Sequence, residues 1–228
     1  MRAIFYDTET TGLKAKNDRV IELAAYDLER DKSYETLIHP GMPIPPEASK
    51  IHGISDEDVK DAPPFSQVAV EFAEFCEGEV VLIAHNNDAF DIHFMKAEYE
   101  RCEHPLPPWK FLDSLKWARR YRPDLPRHSL QFLREIYGIP ENRAHRALDD
   151  VIVLKEVFLH MVDDLSIKQV YDLLNKPRPI QHMPFGKFQG KPLKEVPKDY
   201  LQWLKGSGAF DKPENLELKN SFELLGVL

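Results

Sequence analysis

Arg2-Ala3-Ile4-Phe5-Tyr6-Asp7-Thr8-Glu9-Thr10-Thr11-Gly12-Leu13 begins as a β-strand and ends as a turn. Residues 3–6 are apolar, whereas Thr10, Thr11 and Gly12 are good loop formers. Asp7 and Glu9 stand two positions apart at the change-over. Side chains at i and i+2 project from one strand face, so the two carboxylates converge if the extended geometry persists. Two such groups repel unless they are protonated or bridged by a cation. An acidic turn is the plainer reading, and Asp-x-Glu alone does not choose between them.

Outward from this strand, residues 20–28 and 34–39 read as two more strands. The turns that join the three are short enough for antiparallel neighbours. A Pro-rich connector, residues 40–46, follows. Helix and strand then alternate: a helix over 66–76, a buried strand over 80–84, a helix over 92–102 and a short strand over 110–112. Helices are expected at 114–121, 129–137, 147–162 and 167–174. The order predicts an α/β protein with a mixed sheet covered by helices. At Lys176-Pro177-Arg178-Pro179 the texture changes. We therefore expect a main domain over 1–175, a linker over 176–184 and a small C-terminal domain over 185–228. A hairpin is expected at 185–192 and an amphipathic segment at Tyr200-Leu201-Gln202-Trp203-Leu204.

The chain of 228 residues suits one well-buried domain with a small appendage. No apolar run is long enough to cross a bilayer, and the N-terminus has no signal-peptide pattern. Cys76 and Cys102 lack metal-ligand spacing and read as core residues of a reducing compartment, so a cytoplasmic location is expected. A net charge of −8 argues at first sight against a nucleic-acid partner. Its distribution softens that argument. Acids dominate residues 47–79, while 110–146 carry Lys116, Arg119, Arg120, Arg122, Arg127, Arg134 and Arg143. Two ordinary solvated faces of opposite sign explain the pattern equally well.

His145-Arg146-Ala147-Leu148-Asp149-Asp150 leads into a helix whose apolar stripe is Ala147, Val151, Leu154, Phe158 and Met161. At about 100° per residue, Asp150 lies at the edge of that stripe and Asp149 roughly opposite it. An acid near the inward face needs a partner, so Asp150 is the functional candidate and Asp149 the solvated one. A favourable contact with the helix dipole is the rival reading of Asp150. In Ala84-His85-Asn86-Asn87-Asp88-Ala89-Phe90-Asp91, periodicity does not separate Asp88 from Asp91. Either could be a helix cap.

These three segments together resemble the DEDDh 3′→5′ exonucleases. Residues 7–13 follow the family's first motif, Asn86 with Phe90-Asp91 follows the second, and His145 followed five positions later by Asp150 follows the third. The second motif selects Asp91. Ile51-His52-Gly53-Ile54 is a further family-like stretch. The likeness spans roughly residues 1–164. It implies a ribonuclease-H-like fold with a mixed five-stranded sheet flanked by helices. It implies Asp7, Glu9, Asp91 and Asp150 as ligands of two Mg²⁺ ions, with Mn²⁺ as a substitute, and His145 as general base. Thr10, Gly12, Leu13, Asn86 and Phe90 would hold substrate. The chemistry expected is hydrolysis of phosphodiester bonds from the 3′ end of DNA, giving nucleoside monophosphates. An exoribonuclease, a proofreading subunit of a polymerase and a non-catalytic nucleic-acid-binding module are the alternatives.

The C-terminal part, with Phe185-Gly186-Lys187-Phe188-Gln189-Gly190-Lys191 and residues 200–204, resembles the tail of bacterial exodeoxyribonuclease X. DNA is the implied partner, with RNA as the alternative and no membrane. Lys187 and Lys191 flank a Gly-containing turn and are candidates for docking DNA, whereas Tyr200 and Trp203 are expected in a miniature core.

Overall fold

The computed structural model describes residues 1–140, 147–176, 179–212 and 215–227. The chain divides into two compact units, Met1–Tyr171 and Asp172–Leu228. In the first, β1 (Arg2–Thr10), β2 (Val20–Asp27), β3 (Lys32–Leu37), β4 (Val80–Ala84) and β5 (Lys110–Asp113) form one sheet in the order β3-β2-β1-β4-β5. β1, β2 and β3 pair antiparallel, and β4 and β5 continue the sheet in parallel. This is the mixed five-stranded sheet expected. β1 is extended through both acids, so Asp7 and Glu9 share a face.

Alternation along β1 sorts its side chains between two cores. Ile4 and Tyr6 belong to a buried cluster with Val68, Phe72, Phe94 and Met95. These come from α3 (Phe65–Phe75) and α4 (Asp91–Arg101). Phe5 points the other way and meets Phe158 of α7 (Ala147–Val162) edge-on, ring centroids 5.7 Å apart. Asp7 and Glu9 therefore lie on the α7 side. Glu9 is about 13 Å beyond Phe5 at ~3.3 Å per strand residue. Asp150 is about 12 Å back from Phe158 at ~1.5 Å per helical residue. The two rises match, so one helix crossing the strand in the opposite sense brings Asp150 to the acid pair. The expected stripe is observed: Ala147, Val151, Leu154 and Phe158 are buried, with Met161 partly so.

α5 (Ser114–Tyr121) and α6 (Leu130–Ile136) follow β5. The Pro-rich connector is shorter than its sequence suggests. Pro45 and Pro46 start α1 (Pro46–His52), followed by α2 (Asp56–Val59). Proline's fixed φ and missing N–H suit a helix's first turn. Gly53, with φ +75°, ends α1 in the left-handed conformation. Cys76 is buried, Cys102 is partly buried and both are unbonded.

α8 (Ile167–Asn175) carries the chain into the second unit, where α9 (Lys198–Gly206) and α10 (Leu216–Leu224) are the longer helices. Met183, Leu193, Leu201, Leu204, Phe210 and Phe222 are buried in its core. The hairpin expected at 185–192 is not a strand pair. A single bridge, His182 to Pro192, closes a turn in which Gly186 and Gly190 take φ +78° and +80°. Two left-handed glycines so close together interrupt any extended ladder. Trp203 also departs from expectation: it is 60 % exposed. Leu201 and Leu204 fill the inward face of α9, which leaves Trp203 outside while Tyr200 only packs against the core.

Candidate active site

Asp7, Glu9 and Asp150 meet at the end of β1. One ligand oxygen from each lies within 4.8 Å of the others, and all three residues are partly exposed. Burial and then the charges of Asp91, Glu9, Asp150 and Glu22 push the Asp7 carboxyl well above its ordinary range. The Gln131 side chain reaches Asp150 Oδ1 at 3.4 Å from α6. Asp149 is partly buried rather than fully solvated, but it is not one of the three converging acids.

Asp91 approaches from the other side of β1. It is 2 % exposed, and the Thr8 hydroxyl donates to its Oδ1 at 2.8 Å. Burial raises its pKa to about 7, while the Thr8 bond and backbone hydrogen bonds pull the other way. Asp88 faces solvent and pairs with Lys116 at 3.0 Å, which removes it from the site. Thr8, between the two acids in sequence, thus serves the opposite face of the same strand.

The loop ahead of Asp91 is held by groups that sequence reasoning missed. Asp113, at the end of β5, accepts from the backbone N–H of Asn86 and Asp88, each at 3.0 Å. It also caps α5 through Leu115 and Lys116. One carboxylate therefore ties the start of α5 to the loop that delivers Asp91. Asn86 in that loop has φ +70°. The Tyr6 hydroxyl donates to Asn87 Oδ1 from below. His85 has both ring nitrogens engaged, Nδ1 with Ser114 Oγ at 2.8 Å and Nε2 with the His128 carbonyl at 2.9 Å. Burial lowers its pKa, so it braces the loop as a neutral ring. An acid just ahead of a helical run was the available signal for Asp113.

Glu22 was also missed. It is 1 % exposed, lies opposite Glu9 across β1 and β2, and accepts from the Ala147 N–H at 3.2 Å. That N–H belongs to the first turn of α7, where helical donors lack partners within the helix. Its signal was an acid inside an otherwise apolar strand, Val20-Ile21-Glu22-Leu23-Ala24.

The expected substrate residues occupy diverse settings. Thr10 is buried, and its hydroxyl donates to the Gly12 carbonyl at 2.6 Å. A Cβ at Gly12 would come within 2.6 Å of the Asp18 carboxylate, which would have to shift to admit it. Leu13 is 83 % exposed. Asn86 is exposed, and Phe90 packs on Phe94 with centroids 4.9 Å apart and ring planes tilted by 46°. His145 lies outside the described residues.

The chain has relatives among known proteins. The exonuclease family model matches residues 4–158. This chain belongs to the exonuclease family. Residues 174–218 match a second model, that of a family named for a proposed quorum-sensing-regulated virulence factor. The DNA polymerase III subunit epsilon of Treponema pallidum is 40 % identical over 162 residues, covering 69 % of this chain and 74 % of that protein. A PolC-type DNA polymerase III of Streptococcus thermophilus is 34 % identical over 194 residues, 78 % of this chain but 13 % of the polymerase. Among solved structures, E. coli exonuclease I with single-stranded DNA has a TM-score of 0.63 at 20 % identity over 75 % of this chain and 42 % of that one. Exonuclease X with 5′-overhanging duplex DNA gives 0.57 at 23 %, over 75 % and 99 %. The fold of this exonuclease is thus the ribonuclease-H-like one. Among its described residues no helix is long and apolar enough to cross a membrane.

Proposed function

We propose that this exonuclease removes nucleotides from the 3′ end of DNA by metal-assisted hydrolysis. The observation that carries the reading is the convergence of Asp7, Glu9 and Asp150 within 4.8 Å, with Asp7 driven towards protonation by burial and then by its acidic neighbours. Hard oxygen ligands whose charges repel suit a hard divalent cation such as Mg²⁺, with Mn²⁺ as a substitute. Asp7, Glu9 and Asp150 would hold one ion, with Asp7 and Asp91 completing a two-ion site. Bound ions supply charge neutralisation at the phosphate and ease ionisation of the attacking water.

The chain's own groups do the rest. His145 takes a proton from the water at an imidazole nitrogen, a role that the ordinary chemistry of imidazole suits. The water oxygen bonds to phosphorus as the bond to O3′ of the penultimate nucleotide breaks and that oxygen gains a proton. A nucleoside 5′-monophosphate and a strand one unit shorter result. The turn at Thr10, Gly12 and Leu13, together with Asn86 and Phe90, would seat the terminal nucleotide. Exposed Leu13 is available for apolar contact with a base. The two unbonded cysteines agree with a cytoplasmic setting.

The relatives favour DNA over RNA, and the likeness to a polymerase III epsilon subunit supports a second reading as a proofreading subunit. The deciding experiment digests matched DNA and RNA strands, labelled at either end, with and without Mg²⁺. Mononucleotides leaving the 3′ end of DNA, only with metal, are expected. Release from the 5′ end, or in excess chelator, refutes the reading. Stable copurification with a polymerase would select the proofreading role.

A further inference from the structure

The second unit differs in charge from the chain as a whole. It carries nine Lys and Arg against seven Asp and Glu, in a protein whose net charge is −8. On one of its faces the aromatic rings form a short row. Phe188 meets Tyr200 edge-on at 4.8 Å between centroids, and Tyr200 stacks nearly parallel on Trp203 at 5.4 Å and 19°. The row ends in solvent at Trp203, which is 60 % exposed. Lys187 and Lys191 set their ammonium groups 5.6 and 5.7 Å from the Phe188 ring.

Phe188 and Tyr200 are seated against the core of the unit. Gly186, at φ +78°, lies so close under the Tyr200 hydroxyl that a side chain at this position would clash. Leu201, Leu204 and the residues around them close the core beneath, so the outer face of Trp203 is surplus to packing. A rigid indole continuing a parallel stack, with lysines alongside, matches what an unpaired strand offers: flat bases on a phosphate backbone.

We propose that this row is a docking site for single-stranded nucleic acid, with a base stacking on Trp203 and phosphates meeting Lys187 and Lys191. The choice of nucleic acid rests on the nuclease reading above. The row holds the strand while the acids of the other unit act on its end, and the linked chain raises the local concentration of that end.

The test uses the full chain in excess chelator, so that binding is read without hydrolysis. Unlabelled oligo(dT) of twelve nucleotides is titrated while tryptophan fluorescence is followed, with anisotropy of a labelled copy in parallel. Wild-type fluorescence should be quenched. Trp203→Ala should lose the quench and bind roughly tenfold more weakly, the usual worth of one stacked base. Trp203→Phe should keep most of the affinity. Lys187→Glu with Lys191→Glu should lower the slope of log affinity against log salt by about 1.4, ~0.7 for each phosphate contact. Wild-type affinity in folded Trp203→Ala and double-lysine proteins would overturn the proposal and leave a protein partner for this face. Quenching that persists in a chain without Mg²⁺-dependent digestion would sink the exonuclease reading and leave the docking site standing.

Discussion

Two carboxylate clusters in the first unit make an instructive pair. In one, Glu98 of α4 is 1 % exposed and accepts from Arg19 Nε and Nη2, at 2.7 and 2.9 Å, and from Arg101 at 2.9 Å. It also accepts from the Val20 N–H, so it fastens the start of β2 to α4. In the other, Asp7, Glu9 and Asp150 converge within 4.8 Å beside Asp91 and Glu22. The first cluster brings its own cations. The second gathers several carboxylates, and burial together with their charges pushes the Asp7 carboxyl up. Similar groups thus serve attachment in one place and, in our reading, create a demand for external cations in the other.

The widest separation between the clusters should appear in activity. Asp7→Ala or Asp150→Ala should abolish nucleotide release in a digestion assay while leaving the circular dichroism unchanged. In chelator the melting temperature of Asp7→Ala should equal or exceed that of the parent, because burial and neighbouring carboxylates disfavour the Asp7 charge. A large loss of Tm would mean that these acids hold the fold together. His145→Ala should slow release by roughly 10²–10⁴, the worth of a positioned base, with little change in substrate binding. An unaltered rate would take His145 out of the chemistry.

Glu98→Ala should do the reverse. Removing one member of a buried ion cluster typically costs about 3–5 kcal/mol, here a fall in Tm of roughly 10 °C by thermal unfolding. Activity below the new transition should largely survive. A neutral effect on Tm would erase the contrast.

The smallest difference concerns pH. Asp91 holds its proton up to about pH 7 in the folded chain, well above an unfolded aspartate. Between about pH 4 and 7 the folded state therefore binds more protons, and stability of the metal-free protein falls as pH rises. Asp91→Asn should flatten that decline in thermal melts with chelator. A Tm that climbs through this window would contradict the assignment.

The acid cluster was more readable from sequence than its supports. Strand parity placed Asp7 with Glu9, and helical phase chose Asp150 over Asp149, because both follow from local geometry. Asp91 could not be told from Asp88 in that way. The choice depends on the Thr8 hydroxyl and on the Lys116 that draws Asp88 outward, both distant in sequence. Asp113 and Glu22 act on backbone N–H groups of other segments, which periodicity does not reveal. α1 was hidden because proline marks both a connector and a helix start. Trp203 was assigned to a core that Leu201 and Leu204 already fill.

The most direct test of the central claim is calorimetric titration of Mn²⁺ and Mg²⁺ into the metal-free chain and into Asp7→Asn. Our account predicts saturable binding by the parent, a rise in its Tm with added cation, and loss of both in Asp7→Asn although that variant is no less stable in chelator. Equal cation binding by the two proteins, or none by the parent, would contradict it.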